Sequence, residues 1–334
     1  MDPIIRTTIK QLCPVCENSG ALLHESLRDQ LFGAPGNWSL RRCSNESCAL
    51  LWLDPCPIEE DIAKAYATYY THADTEKKSL IKSRVIASIR DLFVNVISGL
   101  CGQRRERDDI AHLYLRDMAP GRVLDIGCGD ARFLNRMKRL GWSAQGIDFD
   151  AAAASNAKNL FDIDVQIGTL ESLQFPECTF DAVTMNHVIE HVFDPVALLS
   201  EIRRILKPGG RLVVVTPNAM SMGHNTYGRF WRGLEPPRHI QIFTPPALET
   251  VASAAELEIS RLFTTAVNAW IILSASSALK RLNVSNETGS TKPSRVEQIQ
   301  GLKMHLVEAF RLKKSAAEGE EVVLIATKKG ALHP

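Results

Sequence analysis

The 334-residue sequence predicts an α/β protein: a parallel sheet covered by helices on both faces, preceded by a small cysteine-bearing module. Two observations carry this. From Gly121 to about residue 217, short apolar runs alternate with helical stretches of about ten residues, as in strands buried on both faces. Ahead of them, five of the eight cysteines fall within residues 1–57, where helix signals are few.

The elements follow in order. RVLDI is a short apolar run ending in a glycine turn, which reads as a buried strand. ARFLNRMKRL is a helix stopped by Gly141, SAQGIDF a second strand, AAAASNAKNL a second helix, and DVQIG a third strand. FDAVTMN is a fourth strand, and PVALLSEIRRIL is a helix with Pro195 in its first turn. Lys207-Pro208-Gly209-Gly210 turns into the fifth strand, RLVVVTP. Thr244-Pro245-Pro246 opens a helix through Leu257, and ISRLFTTAV and VVLIATKK read as late strands. The roughly fifty residues between those strands start helical and have a polar middle, NVSNETGSTKPS, that reads as a loop. Before the sheet, IEEDIAKAYATYY and IKSRVIASIRDLFVNVI place apolar residues at three- and four-residue spacing, which predicts helices. Three segments are expected: a module over 1–57, a helical linker or lid over 58–117, and a large domain over 118–334 with an insert at about 266–319.

Lys plus Arg number 39 and Asp plus Glu 38, so the near-zero balance exerts no general pull on nucleic acid or anionic membrane. The N-terminal MDPIIRTTIKQLCPVC has no apolar h-region, which predicts a cytoplasmic protein. The longest apolar run, residues 266–279, contains Asn268 and several serines and is too short for a typical spanning helix. Without an export signal, clustered cysteines favour metal over disulfides. Cys13-Pro14-Val15-Cys16 and Cys43 with Cys48 form CxxC and CxxxxC knuckles 26 residues apart. Two such knuckles supply four thiolates to one tetrahedral zinc, and four protein ligands make it structural. Cys56 reads as spare.

In VLDIGCGDARFLNRMKRLGWSAQGIDFD, Gly127 and Gly129 sit at the strand-to-helix turn, where a side chain would block close approach of a ligand. Asp148 ends the second strand, 23 residues after Asp125, where a carboxylate can accept both hydroxyls of a ribose. A nicotinamide site favours GxGxxG, but Arg132 stands at the third position. Asp125, two residues ahead of the first glycine, suits a cofactor with an amino group and a sulfonium rather than a phosphate.

VLDIGCGDARFL, GIDFD, TFDAVTMNHVIEHV and LKPGGRLVVVTPN, in that order over about residues 120–265, resemble the class I S-adenosylmethionine (SAM)-dependent methyltransferases. The resemblance implies a Rossmann-like seven-stranded sheet with its last strand antiparallel, and SAM as cofactor. It assigns Asp125, Gly127 and Gly129 to the methionine part, Asp148 to the ribose, and Leu170 and Glu171 to the neighbourhood of the adenine. Asn186 would lie near the methionine end and the transferred methyl.

His187-Val188-Ile189-Glu190-His191 follows the fourth strand. If helical, His187, Glu190 and His191 share a face, and His239 in EPPRHIQIFTP is a fourth candidate. Three readings stay open: a second divalent metal that activates an acceptor hydroxyl, His191 or His239 as a metal-free general base, and a structural role. The pattern resembles metal-dependent O-methyltransferases of the ubiquinone pathway and small-RNA 2′-O-methyltransferases. Those carry Glu-x-x-Glu-His and a distal His; here His187 replaces the first Glu. H-x-x-E-H is also an inverted zinc-protease signature, but it falls at the fourth loop of the methyltransferase pattern.

Cysteine ribbon, helical segment and SAM domain together resemble methyltransferases that act on sugars, often nucleotide-linked. The expected acceptor is therefore a hydroxyl of a sugar or glycan-related metabolite. C-methylation of a nucleotide sugar and a non-catalytic, zinc-bearing binding protein are the alternatives. Tyr66, Tyr69, Tyr70 and His72 either line an acceptor pocket or pack their helix on the core. Residues 77–100 join basic residues to apolar runs, as in a peripheral membrane contact or a helix packed on the domain. No feature specifies an oligomer.

Overall fold

The computed structural model describes residues 4–67, 99, 102–285 and 291–330. Five short strands come first: β1 (Thr7–Thr8), β2 (Gly20–Leu27), β3 (Trp38–Cys43), β4 (Leu51–Leu53) and β5 (Cys56–Pro57). A 3-10 helix, Glu59–Tyr66, follows. Then come α1 (Arg104–Ala111), β6 (Arg122–Ile126), α2 (Arg132–Arg139), β7 (Ser143–Asp148), α3 (Ala151–Phe161), β8 (Val165–Ile167), α4 (Leu170–Leu173) and β9 (Phe180–Asn186). The chain continues through α5 (Pro195–Ile205), β10 (Leu206–Pro217), α6 (Met222–Tyr227), β11 (Gln241–Ile242), α7 (Pro245–Ala254) and β12 (Glu258–Thr265). It ends with α8 (Ala269–Ser285), α9 (Arg295–Arg311) and β13 (Glu321–Thr327).

Seven strands form the central sheet in the order β12-β13-β10-β9-β6-β7-β8. β8, β7, β6, β9 and β10 are parallel, and β13 runs antiparallel between β10 and β12. Period-two alternation divides the apolar residues between two cores. Leu124, Val183, Leu212 and Val214 pack with Leu199 and Ile202 of α5 and Leu248 and Val251 of α7. Val123, Ala182, Val213 and Val215 pack on the other face with Leu115, Met137 and Trp142. Side-chain caps set several helix starts: Asp150 for α3, Asp194 ahead of Pro195 for α5, and Thr244 for α7.

The N-terminal strands do not stand apart from this body. Their sheet has the order β11-β4-β3-β2, so its edge strand comes from the large domain, with Gln241 opposite Trp52 and Ile242 opposite Leu51. Thr244, the cap of α7, also donates to Cys48 O. Trp52, Cys13, Cys43 and Cys48 belong to the same core as α5 and α7.

One local expectation changes. The first predicted linker helix is a 3-10 helix, begun at Ile58 without a side-chain cap. The second, in IKSRVIASIRDLFVNVI, lies outside the described residues. Residues 286–290 of the expected polar loop lie outside the described residues; residues 291–294 are not helical, and after them α9 starts with a capping box between Ser294 and Glu297. Among the described residues no helix is long and apolar enough to cross a membrane.

Candidate active site

The turn after β6 forms one wall of the site. Gly127 (φ 68°) and Gly129 (φ 51°) are left-handed, a conformation that favours glycine. A Cβ on Gly127 would meet Val188 Cγ2 at 2.6 Å, whereas one on Gly129 would enter open space. Pairing of β6 with β7 brings Asp148 to that space. Its Oδ2 accepts the Gly129 N–H at 2.8 Å and its Oδ1 the Asp150 N–H at 2.9 Å. Each carboxylate oxygen has a further lone pair for a ribose hydroxyl.

Asp125 is buried between β6 and β9, where Thr184 Oγ1 donates to its Oδ1 at 2.6 Å. Burial pushes its carboxyl up to about 7; the Thr184 bond opposes this and the Asp148 charge adds to it. A nearby ammonium would relieve that cost. The open space at Gly129 and these two acids therefore fit the ribose and amino groups of SAM. Asn186 is exposed at the end of β9. Leu170, at the start of α4 behind the Thr169 cap, is buried in the core with α5 and α7. Glu171 is exposed.

On the acceptor side, the expected helical face does not form. His187 is left-handed (φ 57°) and only a 3-10 turn, Ile189–His191, follows. His187 therefore leaves His191 and lies between two acids. Its Nε2 is 2.7 Å from Glu321 Oε1 and its Nδ1 3.3 Å from Glu190 Oε1. Desolvation works against its charge, but bonding to Glu190 and Glu321 outweighs it and holds the imidazole up at about 10.

Glu190, His191 and His239 do converge, each offering one donor atom within 4.8 Å of the others. His191 Nδ1–H donates to Arg238 O at 2.9 Å, and the Tyr66 hydroxyl lies 3.1 Å from the same nitrogen. His239 Nδ1–H donates to Gly233 O at 2.7 Å. A carbonyl only accepts, so in the neutral rings the lone pair resides on Nε2. The rings meet edge to face, 4.8 Å between centroids. Glu190 Oε2 accepts from Thr216 Oγ1 at 2.9 Å, while its Oε1, paired with His187 Nδ1 at 3.3 Å, lies 3.9 Å from His239 Nε2. Burial pushes His239 down to about 4, so it is neutral at neutral pH.

Tyr66 also packs edge-on against Phe149, 5.1 Å between centroids. Phe149 follows Asp148 and is 62% exposed, so Tyr66 bridges the ribose end of the cofactor site and His191. Tyr69, Tyr70, His72 and nearly all of residues 77–100 lie outside the described residues. Sequence reasoning missed Thr184, Glu321, Phe149 and Arg238. The acidic Glu320-Glu321 pair ahead of VVLIAT was the one available signal for Glu321.

The four knuckle cysteines gather elsewhere, all Sγ atoms within 4.8 Å of one another. Cys13 and Cys48 sulfurs are 3.7 Å apart and those of Cys16 and Cys43 3.4 Å. A zinc tetrahedron with bonds of about 2.3 Å has sulfur–sulfur edges of about 3.8 Å, so the set fits zinc. Cys56 is not part of the group.

Residues 102–262 match the family described as a methyltransferase domain. A ubiquinone biosynthesis O-methyltransferase from Xanthomonas oryzae pv. oryzae is 36% identical over 108 residues, 30% of this chain and 45% of that protein. A probable S-adenosylmethionine-dependent methyltransferase from Mycolicibacterium smegmatis is 31% identical over 117 residues, 34% of this chain and 46% of that one. The chain thus spans a little under half the length of these curated relatives. The crystal structure of the [4+2]-cyclase SpnF aligns at 21% identity and a TM-score of 0.46, covering 68% of this chain and 81% of that one. With the seven-stranded topology and the glycine turn beside Asp148, residues 102–262 are a methyltransferase domain of the class I, SAM-dependent family.

Proposed function

We propose that the protein transfers a methyl group from SAM to a hydroxyl of a small polar acceptor, a sugar or glycan-related metabolite. SAM supplies an electrophilic methyl on a sulfonium. The residues Asp125, Gly127, Gly129 and Asp148 hold it, and Asn186 borders the methyl. The acceptor proton would pass to an imidazole Nε2 as the acceptor oxygen bonds the methyl carbon and the carbon–sulfur bond breaks, with S-adenosylhomocysteine as the leaving group. His191, half-buried and touched by Tyr66, is the base, and the neutral His239 beside it orients the acceptor. The observation that carries this reading is the pair of imidazoles whose Nδ1–H groups are tied to carbonyls. Hydroxyl chemistry is supported by the relative named as an O-methyltransferase, and a sugar acceptor by the resemblance of the cysteine module to those of sugar methyltransferases. The Cys13, Cys16, Cys43 and Cys48 set holds a structural zinc.

A second reading rests on the convergence of Glu190, His191 and His239. The three would hold a divalent cation that lowers the pKa of the acceptor hydroxyl. Carbonyl bonds to the far ring nitrogen are usual for metal-bound histidines.

Calorimetry with S-adenosylhomocysteine (SAH), with NAD as control, tests the cofactor, and only SAH is expected to bind. Labelled-methyl transfer to a panel of sugars, with and without chelator, tests the acceptor. His191→Ala should abolish transfer and leave SAH affinity intact. Transfer that survives in both His191→Ala and His239→Ala removes the base.

A further inference from the structure

The two carbonyls that hold the imidazoles belong to one loop, residues 233–239, and that loop is anchored from outside the acceptor site. Arg238 is 0% exposed. Its Nη1 donates to Asp29 Oδ2 at 2.8 Å and to Ala65 O at 3.0 Å, and its Nε donates to Glu235 Oε1 at 2.9 Å. The Phe32 ring covers the guanidinium at 4.6 Å. Asp29, on the N-terminal module, is itself braced. Its Oδ1 accepts from the Leu31 and Phe32 N–H groups at 3.0 and 3.1 Å, and its Oδ2 from the Ala34 N–H at 2.8 Å. A buried guanidinium is stable only where its counter-charges are fixed, so Arg238 stays where Asp29 and Glu235 put it. The loop backbone follows: Ile240 N–H donates to Glu190 O at 3.0 Å and Leu53 N–H to Ile240 O at 2.9 Å.

We propose that Asp29 is a positioning residue for the acceptor-side histidines. Through Arg238 it holds the 233–239 loop so that the carbonyls of Arg238 and Gly233 keep His191 and His239 as Nδ1–H tautomers. The N-terminal cysteine module is therefore an integral part of the acceptor site, although it contributes nothing to the glycine turn that meets the cofactor. The chemical use of those tautomers rests on the methyltransferase reading; the tautomers themselves do not.

The test uses full-length, zinc-loaded protein labelled with 15N-histidine at a pH of about 8, where imidazoles are largely neutral. Long-range proton–nitrogen NMR reads the tautomer of each ring. Wild type should show Nδ1–H at both His191 and His239. Asp29→Asn must present its amide N–H groups either to the Leu31 and Phe32 N–H donors or to Ala34 N–H and Arg238, all of them donors. Arg238→Lys keeps the charge and loses the fork. In either variant, at least one of the two rings should become a mixture of tautomers. His112, whose Nδ1 is held by Asp108 O at 2.7 Å, serves as an internal control and should not change. SAH affinity should stay within about twofold of wild type, because the cofactor wall is untouched. Unchanged tautomers in both variants overturn the proposal, as does a wild-type Nε2–H form at either ring. A change at His112 as well would mean general loss of structure and overturns it too. Failure of wild type to bind SAH would overturn the methyltransferase reading alone.

Discussion

Asp125→Asn separates the cost of a buried charge from its use. Asparagine keeps the shape and can accept the Thr184 bond, but it cannot ionise. The wild-type carboxyl, ordinarily at 3.8, is held up at about 7. Between those values the folded protein keeps a proton that the unfolded chain has released, so wild-type stability falls as pH rises through this window. About three pK units at ~1.4 kcal/mol each give a full cost of roughly 4 kcal/mol, reached above pH ~7. At pH 5 a little over one unit has been expressed, roughly 1.6 kcal/mol. Any pH-independent effect of the amide cancels in the difference. The stability of Asp125→Asn relative to wild type should therefore rise by up to about 2.6 kcal/mol between pH 5 and pH 8. Urea denaturation of zinc-loaded protein at both pH values measures this. Saturating SAH should shrink the change, because its ammonium offsets the wild-type carboxylate, and the variant should bind SAH more weakly. An identical difference between variant and wild type at pH 5 and pH 8 refutes the reasoning.

Asp148→Asn loses a charged acceptor for the ribose and turns an amide donor toward the N–H of Gly129 or Asp150. Calorimetry should show SAH binding weakened at least about tenfold, since one hydrogen bond to a charged group contributes about 1.5–3 kcal/mol. Mass spectrometry of the native protein should find one zinc bound at the cysteine set, lost together with thermal stability in Cys43→Ala. His187, held up at about 10, should remain an imidazolium at pH 8 by NMR, and Glu321→Gln should lower its titration. Here the folded value lies above the ordinary 6.5, so the stabilisation is complete below that pH and is lost as pH rises through about 10.

The sheet was legible because burial on both faces writes itself into the sequence as short apolar runs, and RVLDI and FDAVTMN became β6 and β9 without a shift in boundary. The cofactor wall was legible because Asp125, Gly127 and Gly129 lie within one turn and Asp148 ends the next strand. The acceptor side was less so. His187 was grouped with Glu190 and His191 by helical spacing, but a left-handed residue before a single 3-10 turn breaks that spacing. Its partner Glu321 arrives from the last strand, and no local pattern announces such a meeting. α9 escaped notice because Val296, Ile299, Val307 and Phe310 are exposed, so its apolar residues do not mark a buried face.

The pairing of β4 with β11 bears on how the chain matures. Trp52 and Gln241 lie about 190 residues apart, yet the N-terminal sheet is incomplete until they meet. On a ribosome the cysteine knuckles emerge before β11, and binding zinc would order them while the rest of their sheet still waits. Contacts of such long sequence separation form slowly, leaving the apolar edge around Leu51 and Leu53 open during synthesis. Early metal capture would keep this edge from pairing with other chains, so zinc supply during translation should set the yield of soluble protein more strongly than zinc added afterwards.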